Sequence, residues 1–264
     1  MLRWMIFTAL LVMSSLAASS LPAQSQDSKQ PPAASANSPE KPAANPESSA
    51  DDKSQATSKR PTRAEIIAAN SVATSRYTNR TLGLSFEIPA GMTIEDAATS
   101  KQIEDAGHRA AYANDPASDP AHQQAQTQTI HLISLADHPS DPASSPAQIL
   151  VLAYDLGSET FSNQEIVAGI AAGMSAEPGE WQVTDAPHEQ EYGGAKFWQE
   201  GLKGAIQFGS HTLSVHVQIL VTQCHGFAVA WNLSASSQQR LDALAKSLKT
   251  IQFAAACPVG DAPR

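Results

Sequence analysis

The sequence is poor in basic clusters, in cysteine and in aromatic side chains. Against 26 Asp and Glu it sets 17 Lys and Arg, a formal charge of −9, and nowhere do more than two basic residues stand together. An acidic chain without a basic stripe lacks the footprint that phosphate backbones require, so nucleic acid and anionic lipid heads are excluded as partners. The catalytic and nucleotide-binding signatures GxSxG, GxxxxGK[ST] and GxGxxG are missing, and so is CxxC. That removes the positive case for a serine hydrolase, a phosphate-cradling loop or a dithiol redox catalyst. His188-Glu189 opens like a zinc-protease motif, but HEQEY lacks the second His one helical turn on. His211 and His216 fall on opposite faces of one strand and cannot share an ion. No cofactor and no metal are expected. The carboxylate pairs Glu189 with Glu191 and Asp115 with Asp119 belong to solvated strand and loop positions.

What is present begins with an address. Arg3, an apolar run from Trp4 to Leu16 and the small-residue stretch ending Leu21-Pro22-Ala23 form the three-part layout of a secretory signal. The run is about 13 residues, short of the roughly 20 of a spanning helix. Residues 1–23 are therefore expected to be a signal peptide, leaving a periplasmic or extracellular protein with no membrane insertion after cleavage. The alternative is a membrane anchor formed by the uncleaved segment. Export makes Cys224 and Cys257 a candidate disulfide, with two unrelated thiols as the alternative.

Residues 24–62 consist mainly of Ala, Ser, Pro, Gln, Asn, Asp and Lys, with nothing to bury against the entropy of ordering, and read as a disordered tether. A short helix is expected within 63–76, where TRAEIIAAN has one apolar side. A single domain then runs over 77–253, and 254–264 form a tail. In LGLSFEI, Leu82, Leu84, Phe86 and Ile88 share one side of a strand that Pro89-Ala90-Gly91 ends. The Ala-rich stretch over 97–113 predicts a helix, TQTIHLISLA and QILVLAYDL predict strands, and SDPASSPA predicts a surface loop.

Ser162 and Glu165 form a capping box ahead of Ile166, Val167, Ile170 and Met174, and Ser236 with Gln239 predicts a second one. Gly193-Gly194 marks a tight turn before AKFWQEGLKGAIQF. Leu213, Val215, Val217, Ile219 and Val221 line one side of a strand, as do Phe227, Val229, Trp231 and Leu233. With Cys224-His225-Gly226 as the turn between them, these make an antiparallel hairpin with one apolar face. Leu241, Leu244 and Leu248 give the last helix its stripe. The fold class is α+β, a mostly antiparallel sheet packed by helices.

This order of parts resembles the PsbP-like superfamily of α/β/α sandwich domains. The residues that carry the likeness are YTNRTLGLSFEIPAGM, the capped helix in mid-chain, YGGAKFW entering a long strand, and the final LAKSLKTIQF, together about residues 77 to 253. The superfamily includes a photosystem II extrinsic subunit, a nuclear-transport factor acting on the Ran GTPase, and uncharacterised exported bacterial proteins. The resemblance implies a non-enzymatic domain that docks onto a partner, and it carries over no catalytic residue.

The expected function is docking to another cell-envelope protein or assembly. Alternatives are a small-ligand or lipid carrier with a cleft between sheet and helices, and a hydrolase with an unrecognised site. The candidate docking surface is the polar side of the hairpin, Thr212, Ser214, His216 and Gln218, with Lys196 and Trp198 beside it, because neighbouring Phe197 and Trp198 point to opposite sides and leave one aromatic exposed.

Overall fold

A computed structural model describes residues 60–95, 129–137, 146–175, 180–208 and 211–254. The signal segment, the tether up to residue 59, the helix expected over 97–113, most of the 140–147 loop, and Cys257 with the rest of the tail lie outside the described residues.

Order starts upstream of Tyr77. Thr62 accepts from the Glu65 amide at 3.3 Å while Glu65 Oε2 accepts from the Thr62 amide at 2.7 Å, a reciprocal capping box that starts helix α1 (Arg63–Ala68). Its one inward residue, Ile66, is fully buried. Strands β1 (Asn70–Ala73), β2 (Arg76–Asn79) and β3 (Leu84–Glu87) follow, and with β11 (Gln252–Phe253) they make a four-stranded antiparallel sheet in the order β1-β2-β3-β11. Leu82, Leu84 and Phe86 all face inward, as their alternation predicts.

The main sheet has seven strands: β4 (Met92–Ile94), β5 (Thr129–Asp137), β6 (Gln148–Asp155), β7 (Gln182–Tyr192), β8 (Ala195–Phe208), β9 (His211–Cys224) and β10 (Phe227–Ala235). Their order is β4-β5-β6-β10-β9-β8-β7, with every neighbouring pair antiparallel. Helix α2 (Asn163–Ser175) starts at the predicted box: Ser162 Oγ accepts from the Glu165 amide at 3.2 Å and Glu165 Oε2 accepts from the Ser162 amide at 2.8 Å. Helix α3 (Gln238–Ser247) starts one residue later than predicted. Ser237 caps the Arg240 amide at 3.4 Å, while Ser236 instead accepts from Arg240 Nη1 at 2.9 Å, so Gln239 closes no second box.

The central sheet is buried on both faces. On one side Ile149, Val151, Phe197, Val229, Trp231 and Leu233 pack with Leu241 and Leu244 of α3 and with Tyr77, Leu84 and Phe86 of the small sheet. Trp231 is the hub, with Phe197 5.2 Å away edge-on and Phe253 at 6.1 Å. Edge-to-face pairs of this kind are each worth about 0.5–1.5 kcal/mol beyond the area they bury. On the other side Leu150, Leu152, Val217, Ile219 and Val221 pack with Ile166, Val167, Ile170 and Met174 of α2. The described residues thus form an α+β sandwich whose middle layer is the antiparallel sheet, one outer layer being α2 and the other α3 together with the small sheet.

This two-sided burial corrects the one-faced hairpin. Phe227 lies opposite Cys224, so only His225 and Gly226 form the loop, both with positive φ (52° and 80°), the geometry of a two-residue primed turn. With two loop residues in place of three, Trp231 sits opposite Leu220 and Ala230 opposite Val221. The apolar set of β9 and that of β10 therefore face opposite sides, each meeting its own core. A one-residue difference in loop length inverts every side chain of one strand relative to the other.

Candidate docking face and its polar network

Strands β8 and β9 outrun their neighbours. The last rung between β7 and β8 is Gln182 opposite Lys203, and the last between β10 and β9 is Ala235 opposite His216. Beyond these, the rungs from Gly204 opposite Val215 to Phe208 opposite His211 form a two-stranded arm, and among the described residues no strand pairs with either of its edges. Five rungs at about 3.3 Å per residue carry the arm roughly 15 Å past the sheet. The two glycines of EGLKG mark close approaches. A Cβ on Gly204 would meet the Trp181 ring, and one on Gly201 would meet Asp185 Cβ at 2.9 Å and Thr184 Oγ1 at 3.0 Å.

Thr212 and Ser214 are exposed on the arm, with His216 and Gln218 half-buried behind them on the same face. Lys196 and Trp198 do not join them. Trp198 lies opposite Val221 and Lys196 shares its parity, which places both on the α2 side. There Trp198 is half-buried against the second core and Phe197 is fully buried in the first, so neither aromatic stands out in solvent. The sandwich covers both faces, whereas the expectation of one exposed aromatic assumed that only one was covered. Lys196 donates to Glu189 Oε1 at 2.8 Å, and that hydrogen bond holds its ammonium above the ordinary lysine range. The six candidates thus divide into two groups on opposite faces.

What gathers on the arm's side is a network the sequence did not announce. Gln199, buried on β8, has each amide atom engaged. Its Nε2 donates to Asp185 Oδ2 at 3.1 Å and stands 3.1 Å from His188 Nε2, while its Oε1 accepts from the Tyr192 hydroxyl and from Gln218 Nε2, both at 2.8 Å. Gln218 Nε2 is also 3.2 Å from the Tyr192 oxygen. An amide nitrogen only donates, so His188 Nε2 must be the accepting nitrogen and the ring proton belongs on Nδ1. Nδ1 lies 3.0 Å from the Ala186 carbonyl and 3.4 Å from Asp185 Oδ1. Burial raises the Tyr192 phenol above its ordinary range, the Gln218 hydrogen bond opposes this, and the Asp185 charge adds to it. A hint lay in the sequence. If Gly193-Gly194 is a two-residue turn, Tyr192 opposes Ala195 and, four rungs back, His188 opposes Gln199, as observed.

On the opposite face Glu200 is 5% exposed, and its Oε2 has no partner. Burial, helped by Asp185, pushes its carboxyl up to about 6. Asn232, also 5% exposed, leaves both amide atoms unpaired between Leu150 and Ile219. Among the described residues no three His, Cys, Asp or Glu side chains stand close enough to hold a metal ion.

No protein-family model matches the chain, and no curated protein matches it. Several solved structures are similar, two of which follow. One is LpqN of Mycobacterium tuberculosis, described as involved in cell envelope biogenesis, at 17% identity over 64% of this chain and 83% of that one, with a TM-score of 0.39. The other is the cyanobacterial PsbP protein (CyanoP) of Synechocystis sp. PCC 6803, at 12% identity over 69% of this chain and 95% of that one, with a TM-score of 0.40.

Proposed function

We propose that this chain is an exported, non-enzymatic docking domain that meets a partner protein of the cell envelope through the β8–β9 arm and the polar surface at its base. The observation that carries the reading is the arm itself, whose edges run past β7 and β10 with Thr212 and Ser214 exposed. Strand edges that no described strand pairs are groups that an added strand recognises, and a polar, pre-bonded base supplies register at little entropic cost. Lys196 and Trp198, on the other face, are a separate contact area and not part of this one. Among the described residues no helix is long and apolar enough to cross a membrane.

The test uses the full chain in its native envelope, with a photo-crosslinking residue at position 214 and, as control, at exposed Val183 on β7. A protein captured in near-stoichiometric yield from position 214 and lost on Thr212→Lys supports docking. Capture that is equal from both positions, or a small molecule as the only retained species, overturns it, the latter in favour of a carrier.

A further inference from the structure

We infer that the network around Gln199 is a proton-operated relay: protonation of His188 reverses the Gln199 amide and, through it, exchanges acceptor for donor on the outward side of Gln218. The relay rests on the placement of donors and acceptors and stands apart from the docking reading. In the state described, both Gln199 amide hydrogens are committed, one to Asp185 Oδ2 and one toward His188 Nε2. When His188 takes a proton from solvent, which its 42% exposed side chain permits, Nε2 becomes a donor 3.1 Å from another donor. Two donors at that distance repel, and a buried amide has no water to turn to.

One rearrangement satisfies every group within the network. Asp185 swings its charge onto the Nδ1 proton, to which it already stands at 3.4 Å, and releases Gln199. Gln199 then rotates by half a turn about its last bond, so that Oε1 accepts from His188 Nε2 and Nε2 faces Tyr192 and Gln218. Tyr192 oxygen accepts one hydrogen of that nitrogen. Gln218 must turn as well to offer Oε1, which takes the other hydrogen and the Tyr192 proton. Its NH2 group then points outward where a carbonyl oxygen pointed before. Gln218 is half-buried at the foot of the arm, so the surface there changes from accepting to donating.

Among the described residues the charged groups around the relay are few. Asp185 is on β7 itself. On β8, Lys203 lies two alternate positions beyond Gln199 on the same face and Glu200 lies beneath the sheet, and on β9 His216 follows Gln218 on the same face. Lys249 belongs to the 3-10 turn, residues Leu248–Thr250, that packs on β7. None of these bonds to His188 or Gln199 except Asp185, so among the described residues the relay has one input.

The test is a side-chain NMR titration of the full chain, labelled at His and Gln nitrogens, from pH 8 to pH 5. At pH 8 His188 is expected with its proton on Nδ1. On acidification the side-chain amide resonances of Gln199 and Gln218 should move with the His188 midpoint, and in His188→Asn they should no longer follow it. A proton on Nε2 at pH 8 overturns the proposal. So do Gln218 amide resonances that stay in place while His188 titrates, or a response that survives in His188→Asn, which would assign it to Glu200 instead.

Discussion

Glu200 is the residue whose environment departs furthest from what its position in WQEGLKG suggests. Along β8 it reads as one more alternating polar side chain, yet it points into the apolar layer under α2, and its carboxyl is held near 6 against an ordinary 4.5. A raised carboxyl favours the fold in its protonated form. Its contribution is therefore fully present below about pH 4.5 and is lost as pH rises through about 6. The shift corresponds to at most about 2 kcal/mol. The unfolding free energy of the native chain minus that of Glu200→Gln, measured by urea titration, should be highest at pH 4 and fall by up to that amount at pH 7.5. A difference that is flat across the range sinks the assignment. His131 acts in the opposite sense. Burial lowers its imidazole below the ordinary range, so its share of stability is present at neutral pH and fades on acidification. Comparing against the single variant cancels that term. Sequence alternation could not expose either residue, because it predicts which side of a strand a residue takes but not whether that side is wet.

At the scale of elements, the long strands and the start of α2 were legible because local chemistry specifies them. Ser162 marks a helix start, and Leu82, Leu84 and Phe86 mark an inward face. The Thr62 box that opens α1 has the same signature, but the sequence reading of that helix rests on its apolar side alone. What was not legible was how elements combine, since that turns on single residues in loops. Reading Cys224-His225-Gly226 as a three-residue turn merges two apolar sets on one face, whereas the observed two-residue turn sends them to separate cores. The docking candidates suffered likewise, with Trp198 and Gln218 assigned to one surface although the register places them on opposite ones. Gly193 and Gly194 give a direct test of turn chemistry. Both have positive φ, 59° and 84°, but a Cβ on Gly193 would come within 1.9 Å of the Ile251 carbonyl oxygen, while one on Gly194 meets nothing within 4 Å. Gly194→Ala should cost only the left-handed strain, about 1 kcal/mol. Gly193→Ala must also displace the backbone that leads into β11, at about 2–4 kcal/mol. Chemical denaturation of the two variants side by side checks the ordering, and equal losses would mean that the turn does not rest on the C-terminal segment.

For the molecule as a whole, the start of β3 is where distant parts of the chain converge. The Ala254 amide donates to the Gly83 carbonyl at 2.8 Å, so the chain passes β3 as it leaves β11. Leu82, one residue earlier, has its carbonyl oxygen 3.2 Å from Cys224 Sγ, which is buried at the end of β9. Cys224 touches this stretch directly, and Cys257 follows Ala254 by three residues in the sequence, a chain reach of at most about 10 Å. From this we predict a Cys224–Cys257 disulfide. It would close a loop of about 33 residues and contribute roughly 3–4 kcal/mol by restricting the unfolded chain. It would also clasp β9, β3 and the C-terminal segment, fastening the small sheet to the main one. Alkylating the denatured, unreduced chain should add no mass, and reduction before alkylation should add two labels. Cys257→Ser should lower stability by up to the same amount under oxidising conditions and by little under reducing ones. Mass added at either cysteine before reduction, or a Cys257→Ser penalty that reducing agent leaves unchanged, would show that the two sheets are held by packing alone.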